Sequence, residues 1–159
     1  MKMACGENAK SFYGSKGITP DSRLGEGFLF REQFNAAKML KEQQDDWCEH
    51  AHEMESRYGE KKAHKYVSRP FPEDLRFESL AALLRGDVLL HNHCYETYDL
   101  EMMIRHSKEF GYRVTTFHHA LEAWRLKDLL AKENISVAIF ADHWGYKKEV
   151  CLTLLLIRS

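Results

Sequence analysis

Three short apolar runs, each followed at once by histidine or aspartate, limit the folds open to this chain more than any other feature. Continuous apolar runs are typical of strands buried on both faces, as in a parallel sheet covered by helices. Polar residues that follow such strands meet at the carboxyl-terminal edge of the sheet, where α/β proteins place ligands and catalytic groups. The runs start at residues 87, 114 and 137, and the polar groups after them are His91-Asn92-His93, His118-His119 and Asp142-His143-Trp144.

The segments between the runs have the pattern of helices. Residues 98–110 end at Gly111, which suits the left-handed position after a helix, and residues 120–133 carry Leu121, Trp124, Leu129 and Leu130 as their apolar positions. Successive polar clusters lie roughly 25 residues apart, close to the length of a βαβ unit. The predicted fold class is therefore α/β with a parallel sheet.

The residues before the first run predict one more strand and a long helical insertion. Residues 1–6 fit the last part of a strand, and residues 14–27 contain four glycines and Pro20, which indicates a loop. Residues 28–66 predict one or two exposed, charged helices ended by Pro70 and Pro72, and residues 73–85 predict an amphipathic helix carrying Leu75. We expect one domain over residues 1–149 and a divergent apolar tail over residues 150–159.

Composition narrows the class of protein. A net charge of -1 without a basic block argues against a nucleic-acid surface. The apolar run of residues 150–157 is far shorter than the roughly 20 residues that span a bilayer. The four cysteines are scattered without a Cys-x-x-Cys pair, so reduced thiols are expected. These features predict a cytoplasmic protein that binds a small-molecule substrate and neither nucleic acid nor membrane.

The imidazoles of the first two clusters are candidate metal ligands, because neutral imidazole is the commonest protein ligand for zinc. His91 and His93 are two residues apart and point to the same side of a strand, whereas only one of His118 and His119 can point inward. A lone strand histidine is usually a partnered structural residue, but two clusters at equivalent positions favour ligands. Asp142 fits an oxygen ligand, a base or a helix cap.

The other histidines and the thiol beside the first cluster fit structural roles. His50 and His52 lie in a helical region, where side chains two residues apart diverge. His64 and His106 are expected on helix surfaces, and no base is evident that would activate Cys94.

Four stretches carry a more specific pattern: Ala4-Cys5-Gly6-Glu7-Asn8-Ala9-Lys10, His91-Asn92-His93-Cys94-Tyr95, His118-His119-Ala120-Leu121-Glu122-Ala123 and, more weakly, Ala141-Asp142-His143-Trp144-Gly145-Tyr146-Lys147. Together they resemble the amidohydrolase superfamily, specifically its imidazolonepropionase-like members, over residues 1 to about 149. The resemblance implies a (β/α)8 barrel with one or two divalent metals, which hydrolyses carbon–nitrogen bonds through metal-bound hydroxide. Zinc is the first candidate, with iron or manganese as alternatives.

The same resemblance assigns roles residue by residue. His91 matches the metal-binding histidine after the fifth strand, with His93 as the less favoured choice, and His119 matches the one after the sixth strand. Glu7 or Lys2 lies where a fourth-strand residue bridges two metals in some members. His118, Asp142 and Trp144 are then left as substrate-binding candidates, and Asp142 is not a recognised catalytic position.

Two features of the family have no counterpart in the chain, namely the His-x-His pair of the first strand and the aspartate of the eighth. A barrel of this kind needs about 250 residues, and only strands four to seven are predicted here. We therefore expect a partial barrel that is inactive alone. The alternatives are a non-catalytic half-barrel that acts as a binding or oligomerisation module, and a homodimer that completes eight strands.

Overall fold

Four short parallel strands form one sheet in the order β1-β2-β3-β4. The computed structural model describes residues 1–139, so the end of the third apolar run, Asp142, Trp144 and the boundary between residues 149 and 150 lie outside the described residues. The prediction of an α/β chain with four parallel strands is confirmed. The strands are β1 (Lys2–Ala4), β2 (Leu90–His93), β3 (Val114–His118) and β4 (Ser136–Ala138).

The helices lie between these strands in the chain. They are α1 (Glu7–Gly14), α2 (Arg23–Tyr58), α3 (Glu60–Ala63), α4 (Glu78–Arg85), α5 (Thr97–Phe110) and α6 (Lys127–Lys132), with a 3₁₀ turn at Ala123–Leu126. The hydroxyl of Ser22 accepts a hydrogen bond from the Gly25 amide and caps α2. Gly111 ends α5 in the left-handed conformation, as predicted. None of the helices within residues 1–139 is long and apolar enough to cross a membrane.

The hydrophobic core lies between the sheet and the helices that cover one of its faces. Leu90 of β2 and Phe117 of β3 are fully buried there, packed with the apolar faces of α5 and α2. Burying side chains of this size stabilises a fold by roughly 1.5–3 kcal/mol each. The helix side of the sheet is therefore the stabilising face, and the histidines of β2 lie on the opposite face.

Several predicted helix boundaries are wrong, for local reasons. The loop predicted over residues 14–27 is shorter, because the Ser22 cap starts α2 at Arg23. The long helix ends at Tyr58, since Gly59 adopts a positive φ well before Pro70. Helix α4 starts at Glu78, which leaves Leu75 90% exposed.

Two predicted apolar positions, one inside the first apolar run and one in the segment after the second run, also need correction. Leu89 was placed inside the first run, but the chain enters the sheet one residue later and leaves this side chain 67% exposed. Trp124 was expected on a buried helix face. It is 56% exposed because the 3₁₀ turn has a different periodicity from an α-helix.

The expectation of reduced cysteines is wrong for two of them. Cys5 and Cys94 form a disulfide with their Cα atoms 5.2 Å apart. The parallel register explains the bond, because Ala4 and His93 are partners and each cysteine follows one of them. Cys48 is a free, exposed thiol.

The environment of His106 also differs from the prediction. It was expected on a helix surface, yet only 2% of it is exposed. Phe34 packs edge-on against its ring and Phe110 lies alongside. The Tyr112 hydroxyl lies 2.9 Å from Nδ1. The imidazole therefore occupies an aromatic site between α2 and α5, whereas His64 is exposed as expected.

Candidate active-site rim

The parallel register brings the strand imidazoles onto one face of the sheet. His91 pairs with Thr116 and His93 pairs with His118 across β2 and β3. Leu90 and Asn92, which alternate with the histidines, are fully buried. The prediction that His91 and His93 point to the same side is therefore confirmed. We call the cluster of His91, His93, His118 and His119 the imidazole rim.

His91 and His118 form the first contact in the rim. Nδ1 of His91 lies 2.8 Å from Nε2 of His118, so one ring donates a proton that the other accepts. Burial, the positive charge of Lys2 and the neighbouring His91 lower the pKa of His118, with burial the largest cause. Lys2 itself is the exposed register partner of His91 on β1. Because its pKa is lowered, the imidazole of His118 is neutral near pH 7.

His93 forms the second contact, with residues outside the sheet. Its Nε2 atom lies 2.9 Å from Nδ2 of Asn8, and the Tyr95 hydroxyl donates to Oδ1 of Asn8 at 3.4 Å. The Tyr95 ring packs edge-on against the His93 ring, with centroids 4.7 Å apart. The first residues of α1 are thereby tied to the end of β2.

His119 joins the rim although it directly follows His118. A positive φ of 58° turns the backbone at this residue. Its ring centroid then lies 4.6 Å from that of His93 and 6.0 Å from that of His118. The expectation that only one of the two adjacent imidazoles reaches the site is wrong, because it assumed that the strand continues through both.

Gly6 shapes the turn that carries Glu7 and Asn8. Its φ is 75°, and a Cβ atom there would lie 2.5 Å from Oδ2 of Asp99, so only glycine fits. The Gly6 amide donates to Oε2 of Glu26 at 2.9 Å. Glu7 begins α1, and its Oε2 atom is buried with no hydrogen-bond partner among the described residues.

A buried ionic cluster supports this turn from behind. Arg23, the first residue of α2, pairs with Glu96 at 2.9 Å and Asp99 at 2.7 Å. Burial of Glu26 raises the pKa of its carboxyl to about 7, the Gly6 hydrogen bond opposes that rise, and Asp99 adds to it. The roles of Asn8, Tyr95 and Glu26 were not predicted from the sequence. Asn8 and Tyr95 could have been noticed, since both lie in the quoted motifs.

The rim supplies suitable donor atoms for a divalent metal but not a complete site. Within residues 1–139, no group of three or more His, Cys, Asp or Glu side chains is arranged to hold a metal ion. The four imidazoles are the right kind of donor for zinc, and the unpartnered Glu7 oxygen is compatible with a further ligand. The described residues therefore fit part of a metal site.

His52, away from the rim, lies 3.6 Å from Glu55 on the surface of α2.

Comparison with known proteins supports the family resemblance. No family model matches the chain. Amidohydrolase tasK from Hapsidospora irregularis is 43% identical over 153 residues, which is 94% of this chain. Along nearly its whole length the chain is thus similar to part of an amidohydrolase. The crystal structure of an amidohydrolase from Thermotoga maritima MSB8 superposes on 94% of the chain with a TM-score of 0.71 and 27% identity.

The chain corresponds to only a part of these amidohydrolases. It spans 15% of the length of the fungal relative and 35% of the bacterial chain.

Proposed function

We propose that the chain forms one part of the active site of a metal-dependent hydrolase that acts on carbon–nitrogen bonds other than peptide bonds. Its four strands are the fourth to seventh of a (β/α)8 barrel, and further strands complete the site. Residues 1–139 contain two candidate ligand clusters and no complete metal site, so we propose that the chain is inactive alone.

The single observation that carries this proposal is the imidazole rim at the carboxyl ends of β2 and β3. Barrel enzymes carry their chemistry at that end of the sheet. We assign His91 and His119 as the residues that would hold the metal, with Glu7 as a further carboxylate donor. When bound, a divalent ion such as zinc, iron or manganese lowers the pKa of water and polarises a substrate carbonyl.

The other residues of the rim position these groups. The hydrogen bond between His118 and His91 fixes the orientation of the His91 ring, as a second partner does for a ligating histidine. A neutral His118, whose pKa is lowered mainly by burial, also suits contact with an uncharged small-molecule substrate. Asp142 and Trp144 are proposed to complete the substrate pocket with it.

Zinc titration of the 159-residue chain by calorimetry tests the proposal. We expect weak binding that is abolished by His91→Asn and by His119→Asn. The control is His64→Asn, which changes an exposed histidine directly after α3 and should leave binding unchanged. Binding that survives both rim substitutions, or no binding at all, would instead favour the non-catalytic binding or oligomerisation module.

A further inference from the structure

In the contact between Asn8 and His93, the donor and the acceptor can be assigned from Tyr95, which also contacts Asn8. The Tyr95 hydroxyl donates to Oδ1 of Asn8, so the other end of the amide, Nδ2, faces Nε2 of His93 at 2.9 Å. An amide NH2 group can only donate. Nε2 of His93 must therefore accept, and the proton of the neutral ring resides on Nδ1.

The surroundings of this contact keep it in place. Tyr95 is 1% exposed, so its hydroxyl is a fixed reference point for the amide. Asn8 itself sits on the turn that Glu26 anchors through the Gly6 amide and that the Cys5–Cys94 disulfide joins to β2. His93 is further confined between the rings of Tyr95 and His119.

We propose that Asn8 is a positioning residue that sets the tautomer of His93, and that His93 acts as a hydrogen-bond donor through Nδ1 rather than as a metal ligand through Nε2. The lone pair of Nε2 is taken up by the Asn8 amide. This inference rests on the proposed function, because it divides the imidazole rim into metal ligands and a donor. The Nδ1 proton suits an acceptor atom on the substrate, such as a carbonyl oxygen.

The tautomer can be read by NMR from the ring nitrogen shifts of the histidine-labelled 159-residue chain, at about pH 8.5, where neutral imidazole predominates. We expect the His93 proton on Nδ1. Asn8→Asp replaces the donor by a carboxylate that only accepts, so the proton should move to Nε2. Asn8 is exposed, which makes the substitution compatible with folding.

Asn35→Asp is the matched control, because it makes the same change at an exposed position on α2. It should leave the His93 shifts unchanged. A proton on Nε2 of His93 in the unsubstituted chain, or an unchanged tautomer in Asn8→Asp, would overturn the proposal. The proposal is supported if Asn8→Asp changes the tautomer of His93 and Asn35→Asp does not.

The outcome is separate from that of the proposed function, since the tautomer is measured without metal. If the chain binds no zinc but the tautomer switches, the hydrolase proposal fails and the positioning role of Asn8 stands. If zinc binds and His93→Asn abolishes that binding as completely as His91→Asn does, His93 is a ligand and the role proposed here is wrong.

Discussion

Acidification should destabilise the chain through His106. Burial among aromatic rings lowers the pKa of this imidazole from 6.5 to about 4, and the carboxylate of Glu109 only partly offsets the effect. The unfolded chain therefore binds a proton between pH 6.5 and 4 that the folded chain does not. The contribution of His106 to stability therefore falls as pH decreases through this window. A difference of about 2.5 pKa units corresponds to roughly 3 kcal/mol.

Urea unfolding at a series of pH values between 7 and 4 measures this loss. His106→Gln removes the titrating group and keeps an amide that can bond the Tyr112 hydroxyl, which contacts Nδ1 in the native protein. We expect its stability to fall by about 3 kcal/mol less than that of the unsubstituted chain over the same range. His64→Gln, at an exposed site, serves as the control. Equal slopes for the unsubstituted chain and His106→Gln would refute the reasoning.

Three further predictions concern stability. Cys94→Ala should lower the free energy of unfolding by about 4–5 kcal/mol, because the disulfide closes a loop between residues that are 89 positions apart. Cys48→Ala, which changes the free thiol, should not lower it. Equal effects of the two substitutions in denaturant melts would contradict this prediction. Burial raises the pKa of Glu26 to about 7, so the contribution of this carboxyl to stability is full below pH 4.5 and is lost, by roughly 3 kcal/mol, as pH rises from 4.5 through about 7. Glu26→Gln should flatten that loss, and an unchanged pH profile would count against it. Asn92→Leu should raise stability by about 1–2 kcal/mol in thermal melts, since both amide atoms of this buried side chain lack partners among the described residues; a destabilised variant would disprove it.

The parts of the fold that follow from local pattern could be predicted from the sequence. Apolar runs, the glycine after α5 and the even spacing of His91 and His93 depend on the nearest residues alone. They led to four parallel strands and to two imidazoles on one face. The helix ends at Ser22 and Gly59 are also marked locally, by a capping hydroxyl and by a glycine with a positive φ, but the glycines around Ser22 and the charged residues after Gly59 obscure them in the sequence.

Features that depend on which segments meet could not be derived in this way. The burial of His106 requires α2 to pack on α5, and the disulfide requires the register of β1 against β2. The turn at His119 needs a positive φ, which the neighbouring residues in the sequence do not predict. The contact of Asn8 with His93 likewise joins residues that are 85 positions apart.

Paramagnetic NMR with cobalt(II) tests the assignment of the metal ligands most directly, with histidine-labelled chain as the sample. If the rim is part of a metal site, the ring signals of His91 and His119 will show the largest shifts on addition of cobalt, and His91→Asn will abolish them. If the surface histidines His52 and His64 shift first, or if no ring signal responds, the imidazole rim is not a metal site.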